Sequence, residues 1–168
     1  MSRKKKVRIP KPTGKRELIS KYQSATQIIR QLRRAELNSR ETSRRLVPFF
    51  KSQNKRKTCE RVWKFLRVHI EYVREPMEDQ TAKTINRFLK DRKGDCKHYA
   101  TTSVGILTAC GIPSWFVLVS QKWYRTSPNH AYCCALVDNK IVVIDPCKKT
   151  FDNECKHFYK YNYSPRKK

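Results

Sequence analysis

The sequence predicts an α+β fold in which a cysteine-bearing helix packs on a small antiparallel sheet, preceded by a basic helical extension. Three observations predict it. Apolar residues recur at three- and four-residue steps in several segments before Cys110. Gly111 and Pro113 then give a clear helix stop. Beyond them the chain changes to short apolar or alternating runs with turn residues between, and helices followed by strands make an α+β domain.

Residues 1–16 carry Arg3, Lys4, Lys5, Lys6, Arg8, two prolines and Gly14, too little apolar surface to order themselves, so a flexible segment is expected. Leu18, Tyr22, Ala25, Ile28, Ile29, Leu32 and Ala35 then mark an amphipathic helix from Glu17 to Glu36. Residues 37–57, polar around Leu46–Phe50, read as a short helix and a linker. The core is expected to begin near Thr58, a suitable N-cap. Val62, Phe65, Leu66, His69, Ile70 and Val73 share one helical face ending before Pro76. A second helix passes through Thr84, Ile85, Phe88 and Leu89. The loop Asp91–Gly94 then delivers Cys96 to a third helix that runs to Cys110. Three strands follow at Trp115–Ser120, His130–Val137 and Lys140–Asp145, the last two joined by the two-residue turn Asp138-Asn139. The run His157–Tyr163 interleaves aromatics with cations and is read as an edge strand rather than a stacking platform. Two domains are expected: an extension over 1–57 and a catalytic domain over 58–168.

Charge separates the same two parts. Residues 1–57 hold 19 of the 39 Lys and Arg and three acids, about +16 of the net +25. Seven cysteines, an odd number with Cys133 and Cys134 adjacent, do not suit a disulfide framework. The N-terminus shows no apolar signal segment, and apolar runs such as Trp115–Val119 are too short to span a bilayer. The expectation is a reducing, cytoplasmic setting with no membrane association and most thiols buried.

The chemistry is concentrated in three residues. Cys96 opens a helix, where the macrodipole favours thiolate. His130 starts one strand and Asp145 ends the next. Hairpin partners about Asp138-Asn139 have numbers summing to 277, so Asp145 faces position 132 and position 130 lies near 147. Diagonal neighbours on one face of a sheet come within side-chain reach, so His130 and Asp145 can meet. Thiol, imidazole and carboxylate in this order are what a cysteine nucleophile needs. A buried structural cysteine and a hydrogen-bonded strand histidine are the bland alternative. Cys147, Cys155 and His157 with Cys133 or Cys134 match no compact zinc spacing, so no metal and no cofactor is expected.

Gly94-Asp95-Cys96-Lys97-His98-Tyr99-Ala100, Gly111-Ile112-Pro113, His130-Ala131-Tyr132 and Ile144-Asp145-Pro146 together resemble the transglutaminase-like branch of the papain-like cysteine enzymes. The Trp63…Tyr72 segment and Gln80…Lys83-Thr84 resemble it too, and the likeness covers about residues 58–151. It implies a papain/transglutaminase-like core acting on protein or peptide amides through a thioester. By the resemblance Cys96 is the nucleophile, His130 the general base and acid, and Asp145 the orienting acid. Gln80 is then the side-chain donor to the oxyanion, beside the backbone N–H of Cys96. Small proteins of this type also occur in phage genomes, which adds a virion as an alternative location.

The extension points to an anionic partner. Arg30, Arg33, Arg34, Arg40, Arg44 and Arg45 lie on helical segments and can follow a phosphate backbone of DNA or RNA. An acidic protein is the other partner of that kind. The rival to an enzyme is a catalytically silent, nucleic-acid-associated or structural component with the same fold.

Overall fold

In the computed structural model, residues 17–19, 24–76 and 80–163 are described. The basic segment 1–16 and the tail 164–168 lie outside them. β1 (Glu17–Ile19) pairs antiparallel with β3 (Gln80–Ala82). The helix expected from Glu17 therefore begins later, as α1 (Ala25–Leu37). Its start is fixed by a capping box: Ser24 Oγ accepts from the Gln27 N–H at 3.3 Å, and Gln27 Oε1 accepts from the Ser24 N–H at 2.8 Å. α2 (Arg40–Phe50) follows directly. At the junction Ser39 Oγ donates to the Ala35 carbonyl at 2.6 Å and accepts from the Ile85 N–H at 2.9 Å, fastening both helices to the segment beyond.

α3 (Lys55–His69) is capped by Asn54, whose Oδ1 accepts from the Lys57 N–H at 3.0 Å. Thr58, expected as the cap, lies in the first turn, and its hydroxyl accepts from the Ser52 N–H at 2.9 Å. α3 also ends earlier than its apolar spacing predicts. After Ile70 the chain is extended as β2 (Glu71–Tyr72), parallel to β4 (Lys93–Gly94). The Glu71 and Val73 N–H groups donate to Arg92 and Gly94 carbonyls at 2.8 and 2.9 Å. These backbone bonds prevail over helical periodicity, and Val73 is exposed.

α4 (Ile85–Asp91) carries Phe88 and Leu89 into the core and closes on Arg92 in the left-handed conformation. α5 (Cys96–Ala109) stops at Gly111, whose φ of 80° is the left-handed position the sequence predicts. The sheet has the order β7 (Lys140–Ile144), β6 (His130–Val137), β5 (Ser114–Ser120), β8 (Tyr159–Tyr163), antiparallel throughout. The Asp138-Asn139 turn has φ of 49° and 61°, as a type I′ hairpin requires, and Val137↔Lys140 and Cys133↔Ile144 confirm the expected register. β8 is the edge strand read from the aromatic run.

α5 is the centre of the fold. Every residue from Cys96 to Leu107 is buried, which is why this helix lacks the polar stripe of a surface helix. One side meets α1, α2, α3 and α4; the other meets β5 and β6. Ile29, Leu32, Ala35, Leu46 and Phe50 of the basic helices join the same apolar cluster as Ile106, Leu107, Cys133 and Ala135. Gly105 permits the close approach: a Cβ there would collide with Ile85 Cδ1 and stand 2.8 Å from Ser43 Oγ. The outer sheet face gathers Val117, Val119, Tyr132, Cys134, Val143 and Cys155. Among the described residues no helix is long and apolar enough to cross a membrane.

Candidate active site

The site forms where the start of α5 meets the open end of the β6–β7 ladder. Asp95 caps α5, its carboxylate accepting from the Lys97 N–H at 3.1 Å, while His98 Nδ1 accepts from the Asp95 N–H at 3.1 Å. This fixes the turn that presents Cys96, which is 9% exposed. His130 and Asp145 meet across the ladder as the register requires, Nε2 to Oδ2 at 2.8 Å. Cys96 neighbours the same imidazole and adds to the rise of its pKa. With Nε2 on the carboxylate, Nδ1 is the ring nitrogen left for sulfur. Burial works to lower the pKa of His130, but hydrogen bonds and charge from Asp145 and Cys96 outweigh it and lift it to about 10.

Asp145 is held from behind. Its Oδ1 accepts from the Cys147 N–H at 3.0 Å and its carbonyl from Trp63 Nε1 at 3.1 Å. Arg67 donates to the neighbouring Pro146 carbonyl at 3.2 Å. α3 thus reaches across to the end of β7 and sets the carboxylate. Trp63 belongs to the segment that carries the family likeness, yet nothing in its local spacing marks this contact.

Beneath Cys96 lies a buried ionic group that spacing did not reveal. Lys97 Nζ donates to Gln80 Oε1 at 2.6 Å, pairs closely with Asp95 and lies 3.8 Å from Glu75 Oε2. Burial acts to raise the Asp95 carboxyl, but His98 and Lys97 outweigh it and hold it well below the usual carboxylate range. Gln80, expected to offer the oxyanion a donor, is placed differently. Its Nε2 donates to the Glu75 and Pro76 carbonyls at 2.9 and 3.0 Å, so both amide hydrogens are committed to backbone.

Burial pushes Cys59 and Cys134 up to about 12 and also raises Cys110, Cys133, Cys147 and Cys155. Cys133 and Cys134 face opposite sides of β6, one in each apolar cluster. Cys155 is buried under the outer face, and its carbonyl, not its sulfur, meets His157 Nδ1 at 2.9 Å.

Arg30, Arg33, Arg34, Arg40, Arg44 and Arg45 are all exposed on α1 and α2. Arg33 donates to the Tyr163 carbonyl at 3.4 Å, and Arg45 pairs with Glu41.

A family model described as the transglutaminase-like superfamily matches residues 44–146, a span that includes Cys96, His130 and Asp145. A protein from Parabacteroides distasonis described as a candidate protease superposes with a TM-score of 0.61 at 21% identity. That match covers 74% of this chain and 27% of the other. A candidate cysteine protease from Cytophaga hutchinsonii gives 0.52 at 17% identity, over 71% of this chain and 42% of its own. The chain therefore spans less than half the length of either protein, and the likeness to them is one of fold. No curated protein matches.

Proposed function

This chain belongs to the transglutaminase-like superfamily, and on that footing we propose that it is a cysteine acyl-transfer enzyme acting on protein or peptide amides. One observation supports the reading: His130 Nε2 stands 2.8 Å from Asp145 Oδ2, with Cys96 neighbouring the same ring. Cys96 is the nucleophile. It attacks as the sulfur anion paired with the His130 imidazolium, forming the bond to the carbonyl carbon of the amide. Negative charge grows on the carbonyl oxygen, and the Cys96 backbone N–H, at the start of α5 with no acceptor within the helix, is placed to receive it. His130 then returns the proton to the departing amine, leaving a thioester on Cys96. Asp145 fixes the ring and stabilises its charged form.

Water or an amine then resolves the thioester. His130 and Cys147 are both partly exposed, so water has access and hydrolysis is the favoured outcome. The test is a glutamine-containing protein substrate incubated with the chain, with and without a labelled primary amine, and analysed by mass. Cleavage or deamidation that depends on Cys96 supports hydrolysis, and Cys96-dependent amine incorporation supports transfer. No product over a broad peptide library would overturn the enzymatic reading in favour of a silent fold.

The six exposed arginines on α1 and α2 support a second part of the proposal, docking of this face on a nucleic acid. Binding should then weaken steeply with salt, with a log–log slope of about −0.9 for each duplex phosphate neutralised. Replacing Arg30, Arg40 and Arg44 by glutamine should flatten that slope. A slope unchanged by the replacement would remove this face from the account.

A further inference from the structure

We propose that His130, Asp145 and Cys147 form a zinc-binding site whose fourth position is open to solvent. A ring nitrogen of His130, a carboxylate oxygen of Asp145 and Sγ of Cys147 all lie within 4.8 Å of one another. Zinc bonds run from about 2.0 Å to nitrogen or oxygen to about 2.3 Å to sulfur, so ligand atoms around one tetrahedral ion stand about 3.3–3.8 Å apart. Side-chain rotations that move these atoms by about 1 Å convert the observed cluster into that arrangement.

The hairpin explains the convergence. Continued past Cys133↔Ile144, the β6–β7 register sets position 130 opposite position 147, so the turn after β7 returns a thiol to the imidazole. Asp145 adds the carboxylate from between them. A thiolate, an imidazole and a carboxylate make a donor set suited to zinc rather than to magnesium or calcium. The carboxylate is already oriented by the Cys147 N–H on Oδ1, the kind of outer support that metal-binding carboxylates need. His130 and Cys147 are only partly buried, which gives the ion a way in.

A second trio, Glu75, Asp95 and His98, comes equally close together but is a different case. Lys97 Nζ already lies among those carboxylates and supplies the positive charge.

Binding involves no oxidation. The Cys147 thiol proton, and any ring proton displaced by the metal, pass to solvent, and the ion takes one lone pair from each ligand. Zinc on His130 leaves Cys96 without its acid–base partner, so the site would act as a metal-operated off switch. That consequence rests on the acyl-transfer reading; the binding itself does not.

The experiment titrates the full chain with cobalt(II), and with zinc(II) against a chromophoric chelator. One metal per chain is expected, with a sulfur-to-cobalt charge-transfer band and the visible bands of a tetrahedral ion. Cys147→Ser should weaken zinc by at least about tenfold, and Cys96→Ala should keep the sulfur band supplied by Cys147. Zinc should also slow iodoacetamide at Cys96 in the wild-type chain but not in Cys147→Ser at the same free metal. Equal zinc affinity in Cys147→Ser, or a wild-type cobalt complex without a sulfur band, would overturn the site. A chain that binds zinc as described yet turns over no amide would keep the metal site and remove the acyl-transfer reading.

Discussion

His130 Nε2 and Asp145 Oδ2 stand 2.8 Å apart on adjacent strands, with the carboxylate almost fully buried. Burial works to lower the imidazole pKa, but this pair, with Cys96 beside the ring, lifts it to about 10. The protonated form is the one favoured, so the proton donor is present through neutral pH and is lost as pH rises through that value. The basic limb of kcat/KM should fall near pH 10. Asp145→Asn should move it down by more than one pH unit toward the ordinary histidine value and reduce kcat by about 10²–10⁴. A pH-rate series on both proteins checks this. The same sign governs stability: the pair's contribution is full below the ordinary value of 6.5 and fades as pH approaches 10.

Lys97→Met should be strongly destabilising. Lys97 is the cation beside buried Asp95, and removing it leaves a carboxylate without its closest charge partner. Losses of about 3–5 kcal/mol are expected for breaking such a pair, measured as a lowered midpoint in urea. Asp95 also caps α5, so Cys96 should lose its fixed position in any fraction that still folds.

Trp63→Phe separates positioning from packing. The phenyl ring keeps much of the contact with Phe151 but cannot donate to the Asp145 carbonyl. The expected cost is about 1–3 kcal/mol for the carbonyl left unpaired. A fall in kcat with KM unchanged would show that the indole acts through Asp145.

Gly105→Ala tests the close packing of α5. The added methyl meets Ile85 and Ser43, so α4 or α2 must retreat, with an expected loss of about 1–3 kcal/mol. Thermal denaturation reads this directly, and iodoacetamide labelling of Cys96 should change little because the glycine is far along the helix.

The parts of the fold that were legible in the sequence are those fixed by local chemistry. Gly111 and Pro113 end α5, Asp138-Asn139 sets the hairpin register, and that register alone brings His130 to Asp145. The parts that were not legible depend on distant backbone. β1–β3 and β2–β4 are strands of two or three residues whose pairing leaves no periodic trace. Apolar spacing across residues 62–73 suggests one long helix, yet N–H bonds from Glu71 and Val73 to the Arg92 and Gly94 carbonyls draw residues after Ile70 into a strand. The true start of α1 was written in Ser24-x-x-Gln27, a capping box that apolar periodicity overran. Gln80 reads as an oxyanion donor by likeness, but Lys97 and two carbonyls hold its amide. Trp63 and Cys147 join the site from positions whose neighbours give no warning.

Mapping alkylation across all seven cysteines tests most directly whether sulfur, imidazole and carboxylate act as one unit. With limiting iodoacetamide at neutral pH, Cys96 should be modified well ahead of the six thiols raised by burial, and His130→Ala should abolish that lead. Even labelling of all seven, or a Cys96 rate indifferent to His130→Ala, would contradict it.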